Sequence, residues 1–141
     1  MIRYRQLGYI ALNVTDIERS RAFYSDELGL CFEGHGPEGE AFLRAGPGQR
    51  LILHRGKQAG LKRLGWQMES AAQLEGVGEA LARASSAVEM QSYGRPCMRF
   101  VDRHAGAMMD FLAPEPEETA VMNGPIERLG HAVLCTPRYV G

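Results

Sequence analysis

The sequence predicts an α+β fold: two βαβββ modules paired into a curved mixed sheet with a central cleft, plus an extra C-terminal strand. Three observations carry this. A short pattern recurs three times, two polar residues followed by Leu, Gly and a ring side chain: Arg5-Gln6-Leu7-Gly8-Tyr9, Lys62-Arg63-Leu64-Gly65-Trp66 and Glu127-Arg128-Leu129-Gly130-His131. Its leucines stand 57 and 65 residues apart, the spacing of a repeated structural unit rather than of a local motif. After each of the first two copies, a hydrophobic period of two gives way to a helical period and then to short extended runs separated by turn residues.

Residues 9–14 form the first strand, because Ile10, Leu12 and Val14 alternate with Tyr9, Ala11 and Asn13 and so leave one greasy face and one usable face. A helix follows. Thr15 with Glu18 reads as a capping box, Asp16 suits the first turn, Ile17, Tyr24 and Leu28 share one side, and Gly29 stops it. Strands are expected at 30–33, 40–45 and 50–54, divided by the Gly- and Pro-containing turns at 34–39 and 46–48. The second module repeats the order: a strand at 64–69, then a helix around 72–85 with Leu74, Val77, Leu81 and Ala84 on one face, weakened by Gly76 and Gly78. Strands at 87–91, 97–101 and 107–112 complete it. One domain over 1–113 therefore divides into modules at about 5–56 and 62–113. An acidic, Pro-rich linker at 114–126 and the opening strand of a further, truncated module at 127–141 follow.

Composition narrows the function classes. Sixteen Lys and Arg against 17 Asp and Glu leave no basic excess, so no nucleic-acid partner is expected. No apolar run reaches the roughly 20 residues that span a bilayer and the first residues carry no secretion signal, so no membrane partner and a cytoplasmic location are expected. Cys31, Cys97 and Cys135 are too few and too far apart for a disulfide framework, and each reads as a small buried hydrophobe. No Gly-rich phosphate loop or nucleophile elbow is present, and Ser85 and Ser86 lack the context of a hydrolase nucleophile, which removes nucleotide and hydrolase readings. His35 and His104 fall in Gly-rich turns without a carboxylate or second histidine at ligand spacing, and read as solvated loop residues.

The βαβββ unit used twice, with a helix carrying Ala22-Phe23-Tyr24-Ser25-Asp26-Glu27-Leu28-Gly29-Leu30, resembles the vicinal oxygen chelate superfamily, which includes glyoxalase I, bleomycin-resistance proteins and extradiol ring-cleaving dioxygenases. The chain is most similar to the N-terminal half of two-domain extradiol dioxygenases of the catechol 2,3-dioxygenase type. In those enzymes, the resemblance implies, the C-terminal domain holds the iron. The strand beginning Leu129-Gly130-His131 resembles the opening of that domain, so His131 matches its first metal-binding histidine, provided the chain continues or swaps onto a second chain.

The resemblance further implies a metal slot on the first and last strand of each module. The first-strand slots fall at Tyr9, whose phenol has a pKa of about 10 and is a poor ligand at neutral pH, and at Trp66, whose indole nitrogen has no lone pair to offer. The last strands place Leu53 or His54 and Asp110 at theirs. Two donors fall short of the three protein ligands a catalytic Fe(II) centre needs. The expectation is therefore no metal in residues 5–113, Fe(II) only in a complete enzyme, and an Asp110 paired with Arg99 or Arg103. Tyr9, His54, Trp66, Met68 and Asp110 line the cleft in this reading. The chain would be the non-metal-binding domain or fragment of an extradiol dioxygenase, inactive alone, homo-oligomeric, with an aromatic diol as the whole enzyme's substrate. The alternative is a metal-free binder of the bleomycin-resistance type, holding a small apolar or cationic ligand against Trp66, Tyr9, Met68 and Met108. A glyoxalase-like isomerase would need a full metal set.

Overall fold

The computed structural model describes residues 3–83, 87–102 and 106–114. The linker beyond residue 114, the strand at 127–141 with His131, and also Ser85, Ser86, Arg103, His104 and Cys135 lie outside the described residues. Among the described residues, eight strands and two short helices make a mixed-sheet α+β fold. The strands are β1 (Tyr4–Val14), β2 (Cys31–His35), β3 (Ala41–Gly46), β4 (Gln49–Arg55), β5 (Gly60–Met68), β6 (Ala87–Ser92), β7 (Arg95–Asp102) and β8 (Ala107–Leu112); the helices are α1 (Ile17–Ala22) and α2 (Gln73–Ala82). Each half has the same order, β2-β3-β4-β1 and β5-β8-β7-β6, with the first strand parallel to the fourth and the other pairs antiparallel. The chain splits into two compact units, residues 9–62 in one and residues 3–8 with 63–114 in the other.

In the unit of residues 9–62, β1 and β4 run in register with Ile10 beside Leu51 and Leu12 beside Leu53. Side chains one residue apart point to opposite faces, so this pairing gathers the apolar set on one side. There Val14, Leu30, Ala41, Leu43, Leu51 and Leu53 form a core closed by Ile17 and Tyr24 of the helix. Leu43 and Leu53 are fully buried, and truncating either to alanine costs about 2–5 kcal/mol. The helix start differs from expectation by one residue. Asp16, not Thr15, is the N-cap: its backbone is extended and its carboxylate accepts the Arg19 N–H at 3.1 Å. After Ala22 the helix widens into a π turn, Phe23–Glu27, where the Leu28 N–H reaches back five residues to the Phe23 carbonyl at 3.1 Å. Gly29 ends it at φ 84°, a left-handed conformation that costs glycine nothing.

In the unit of residues 3–8 and 63–114, α2 lays Leu74, Val77 and Leu81 on Trp66, Met68, Met98, Phe100, Met109 and Phe111. The helix forms despite Gly76 and Gly78 because this packing outweighs its weak propensity. Its ring cluster extends to Tyr4, whose centroid lies 6.0 Å from Trp66 and 6.1 Å from Phe111. The observed strands run one to five residues beyond the expected ones at several ends, most at β1, which starts at Tyr4 rather than at residue 9.

The β6–β7 hairpin closes through a two-residue turn, with Ser92 paired to Arg95 and both Tyr93 (φ 49°) and Gly94 (φ 75°) in the left-handed region. That is the backbone of a type I′ turn, which favours Asn-Gly. A bulky ring at its first position is strained. Tyr93→Asn is therefore expected to raise stability by about 0.5–1 kcal/mol, read as a higher urea midpoint with an unchanged slope. A lower midpoint would mean that contacts of the phenol outweigh the strain.

Candidate functional site

With α2 covering one face of β5, β8 and β7, the chemistry-bearing residues of that unit are those on the other face. Trp66 pairs with Phe111 and Leu64 with Met109, so Gly65, which pairs with Asp110, and Arg63, which pairs with Met108, point away from α2. Across the antiparallel β7–β8 ladder Arg99 stands directly opposite Asp110, and Cys97 opposite Leu112.

Asp110 is fully buried. Arg99 donates from Nε to Oδ1 at 2.7 Å and from Nη2 to Oδ2 at 2.9 Å, the two parallel bonds of a guanidinium fork on a carboxylate. Arg63, itself buried, brings its Nε to 3.9 Å from Oδ2. Arg99 is one of the two partners the sequence suggested for Asp110, and Arg63 was missed. Cys97 lies against the same carboxylate. Burial, then the negative charge of Asp110, pushes its thiol from 9.0 up to about 12. It stays a neutral thiol throughout the physiological range.

In the unit of residues 9–62, Tyr9 and His54 are both buried and both on the face away from α1. Tyr9 pairs with Arg50 and His54 with Asn13, so the two sit four positions apart along parallel strands, roughly 13 Å at 3.3 Å per residue. Among the described residues, neither belongs to a group of three or more His, Cys, Asp or Glu placed to hold a metal ion. Arg50 is itself engaged, since Glu33 accepts from its Nε at 2.9 Å and from Arg44 Nε at 2.9 Å.

Trp66 and Met68 lie beneath α2, on the opposite face of β5 from Arg63, Gly65 and Gln67. The Leu-Gly-ring pattern aligned Trp66 with Tyr9, yet in β1 it is Ile10, Leu12 and Val14 that face the helix while in β5 it is Trp66 and Met68. The repeated motif is therefore out of step with the pleat by one residue. The apolar Met68 two residues on from Trp66, leading straight into the helix, was the available signal. A groove of about 320 Å³ beside α2, lined by residues including Leu74, Glu75, Glu79, Glu89 and Met98, contains none of the expected site residues.

Among the described residues, the donor set around Asp110 does not fit Fe(II). Both Asp110 oxygens are committed to Arg99, a second guanidinium stands close by, and among the described residues no group of three or more His, Cys, Asp or Glu is placed to hold a metal ion. No helix among the described residues is long and apolar enough to cross a membrane.

The fold is the one found in extradiol dioxygenases of the vicinal oxygen chelate type. It matches homoprotocatechuate 2,3-dioxygenase from Brevibacterium fuscum with a TM-score of 0.69 at 20% identity, over 82% of this chain and 34% of that one. It matches the 2,3-dioxygenase LapB from Pseudomonas sp. KL28 with a TM-score of 0.72 at 19% identity, over 81% and 42%. The Brevibacterium enzyme has also been seen with 3,4-dihydroxyphenylacetate bound. Among curated proteins, the chain is similar to 1,2-dihydroxynaphthalene dioxygenase from Pseudomonas sp. strain C18, 30% identical over 80 residues, 56% of this chain and 26% of that protein. The Sphingobium xenophagum enzyme of the same name is 28% identical over 88 residues, 62% and 30%. The chain thus spans about a quarter to a third of these curated relatives. No family model matches.

Two outcomes follow from the buried cluster. Asp110→Ala leaves two guanidinium groups without their carboxylate and is expected to destabilise by about 3–5 kcal/mol in urea unfolding, far more than a surface carboxylate would. The thiol of Cys97 binds its proton more tightly folded than unfolded, so its contribution to stability is fully present below about pH 9 and is lost as the pH rises towards 12. Cys97→Ser should flatten that alkaline limb of the stability curve. An unchanged limb in the variant would assign the loss to other groups.

Proposed function

We propose that this chain is the non-metal-binding N-terminal domain of an extradiol ring-cleaving dioxygenase. The observation that carries the reading is the fold match, which takes in four-fifths of this chain but only about a third of the Brevibacterium enzyme. The commitment of Asp110 to Arg99 supports the metal-free part, because a carboxylate whose lone pairs accept a guanidinium fork is a poor ligand. In the complete enzyme, Fe(II) would supply the site where an aromatic diol and oxygen meet, with His131 as its first protein ligand and the remaining ligands in polypeptide after residue 141. This domain would then contribute a packing surface and oligomer contacts, and its own side chains would perform no step on the substrate. The reading as a bleomycin-resistance-type binder is weaker, since two of its four residues, Trp66 and Met68, are packed beneath α2.

The coding sequence after residue 141 and an oxygen electrode test this. Polypeptide extending the chain through a further Phe-Tyr…Leu-Gly helix is expected to consume oxygen with 1,2-dihydroxynaphthalene or catechol when Fe(II) is supplied, and to lose that activity in His131→Ala. The 141-residue chain alone is expected to consume none. Ring cleavage by the chain alone would defeat the proposal, as would a reading frame that stops at Gly141.

A further inference from the structure

A carboxylate with no exposed surface needs a cation beside it, and the chain supplies one from each neighbouring strand. Arg99 of β7 takes both oxygens of Asp110. Arg63 of β5 stands 3.9 Å away on the other side, and Gly65, the residue paired with Asp110 on β5, has no side chain to come between them. We propose that Arg63, Asp110 and Arg99 form a built-in cation site, in which guanidinium groups occupy the place and supply the charge that a divalent ion would bring to this carboxylate, so that the native module is closed to metal there. This rests on the reading of the domain as metal-free and gives that property a mechanism.

The chemistry of the surroundings agrees. A guanidinium fork and a divalent ion compete for the same carboxylate lone pairs, and a second fixed positive charge repels an incoming dication. Cys97, the nearest soft donor, is held as a neutral thiol by burial and by Asp110, and a metal would have to expel its proton. Removing Arg99 lifts the competition for the lone pairs and leaves Arg63 as the remaining fixed positive charge beside Asp110. With the guanidinium gone, Asp110 and Cys97 remain as two donors on adjoining strands, and a histidine in place of Arg99 makes a third.

Co(II) is the probe, because tetrahedral thiolate coordination gives it visible and near-ultraviolet absorption bands. The native 141-residue chain is expected to show no such bands at millimolar Co(II). Arg99→His is expected to show them and to bind at least about 100-fold more tightly than the native chain, and Arg99→His with Asp110→Asn to lose them again. Should Arg99→His fail to fold, Arg99→Ala serves, with thermal unfolding as the readout: Zn(II) is expected to raise its midpoint by roughly 4–8 °C and to leave the native midpoint unmoved. Bands or a midpoint rise in the native chain that vanish with Asp110→Asn would overturn the inference, and so would folded Arg99 variants that gain nothing from metal. Metal held by the native chain that survives Asp110→Asn sits elsewhere; it counts against the metal-free reading of the domain, while the Arg99 comparison still decides the cation site.

Discussion

One helix lies over four strands in each half of this protein, and the two-residue alternation of the pleat then settles what every other strand residue can do. Residues in step with the helix are core. Residues out of step face the other way, where apolar Ala11, Ile52 and Leu112 are buried as well and the polar residues of the candidate site are found. In β5 and β8 the core set is Trp66, Met68, Met109 and Phe111, and the opposite set contains Arg63, Gly65, Gln67 and Asp110. A slip of one residue in the β7–β8 ladder would carry the Asp110 carboxylate under α2, among methionines and aromatic rings, where no guanidinium could reach it. The ion pair and the apolar core therefore enforce the same register from opposite faces.

Much of this was legible from residue order. Strand alternation, the glycine after Leu28 and the Gly- and Pro-rich separators all report local backbone preferences that tertiary packing did not override. The parts that were not legible depend on more than one strand. The π turn at Phe23–Glu27 adds one residue to a helical turn with no composition to announce it. Asp16 rather than Thr15 caps α1 because the backbone is still extended at Asp16, two residues after the strand ends, and both residue types cap well.

The site shows the same limit in sharper form. A buried aspartate announces from sequence alone that it needs a cation, and Arg99 was within reach of that argument because it lies on the neighbouring hairpin strand. Arg63 was not, because its approach depends on the parallel register of β5 with β8, whose paired residues, such as Arg63 and Met108, lie 45 positions apart. Aligning Trp66 with Tyr9 failed for a related reason. A motif fixes residue identity along the chain, while the face a residue occupies is fixed by where the helix packs, and the two modules differ by one residue in that relation.

Fold likeness and side-chain chemistry bear on different parts of the functional reading. The likeness to extradiol dioxygenases concerns the backbone path, which many chemistries share, and at about 20% identity it carries no particular residue. The side chains speak only for this module. A fixed guanidinium beside a carboxylate differs from a bound metal in one respect that matters here: it cannot leave, and it offers no open coordination position to a substrate. On the proposed reading, such a pair would let the module keep its fold while leaving metal chemistry to the rest of the enzyme. The proposed partner domain would need that property, since in that reading the chemistry is performed elsewhere.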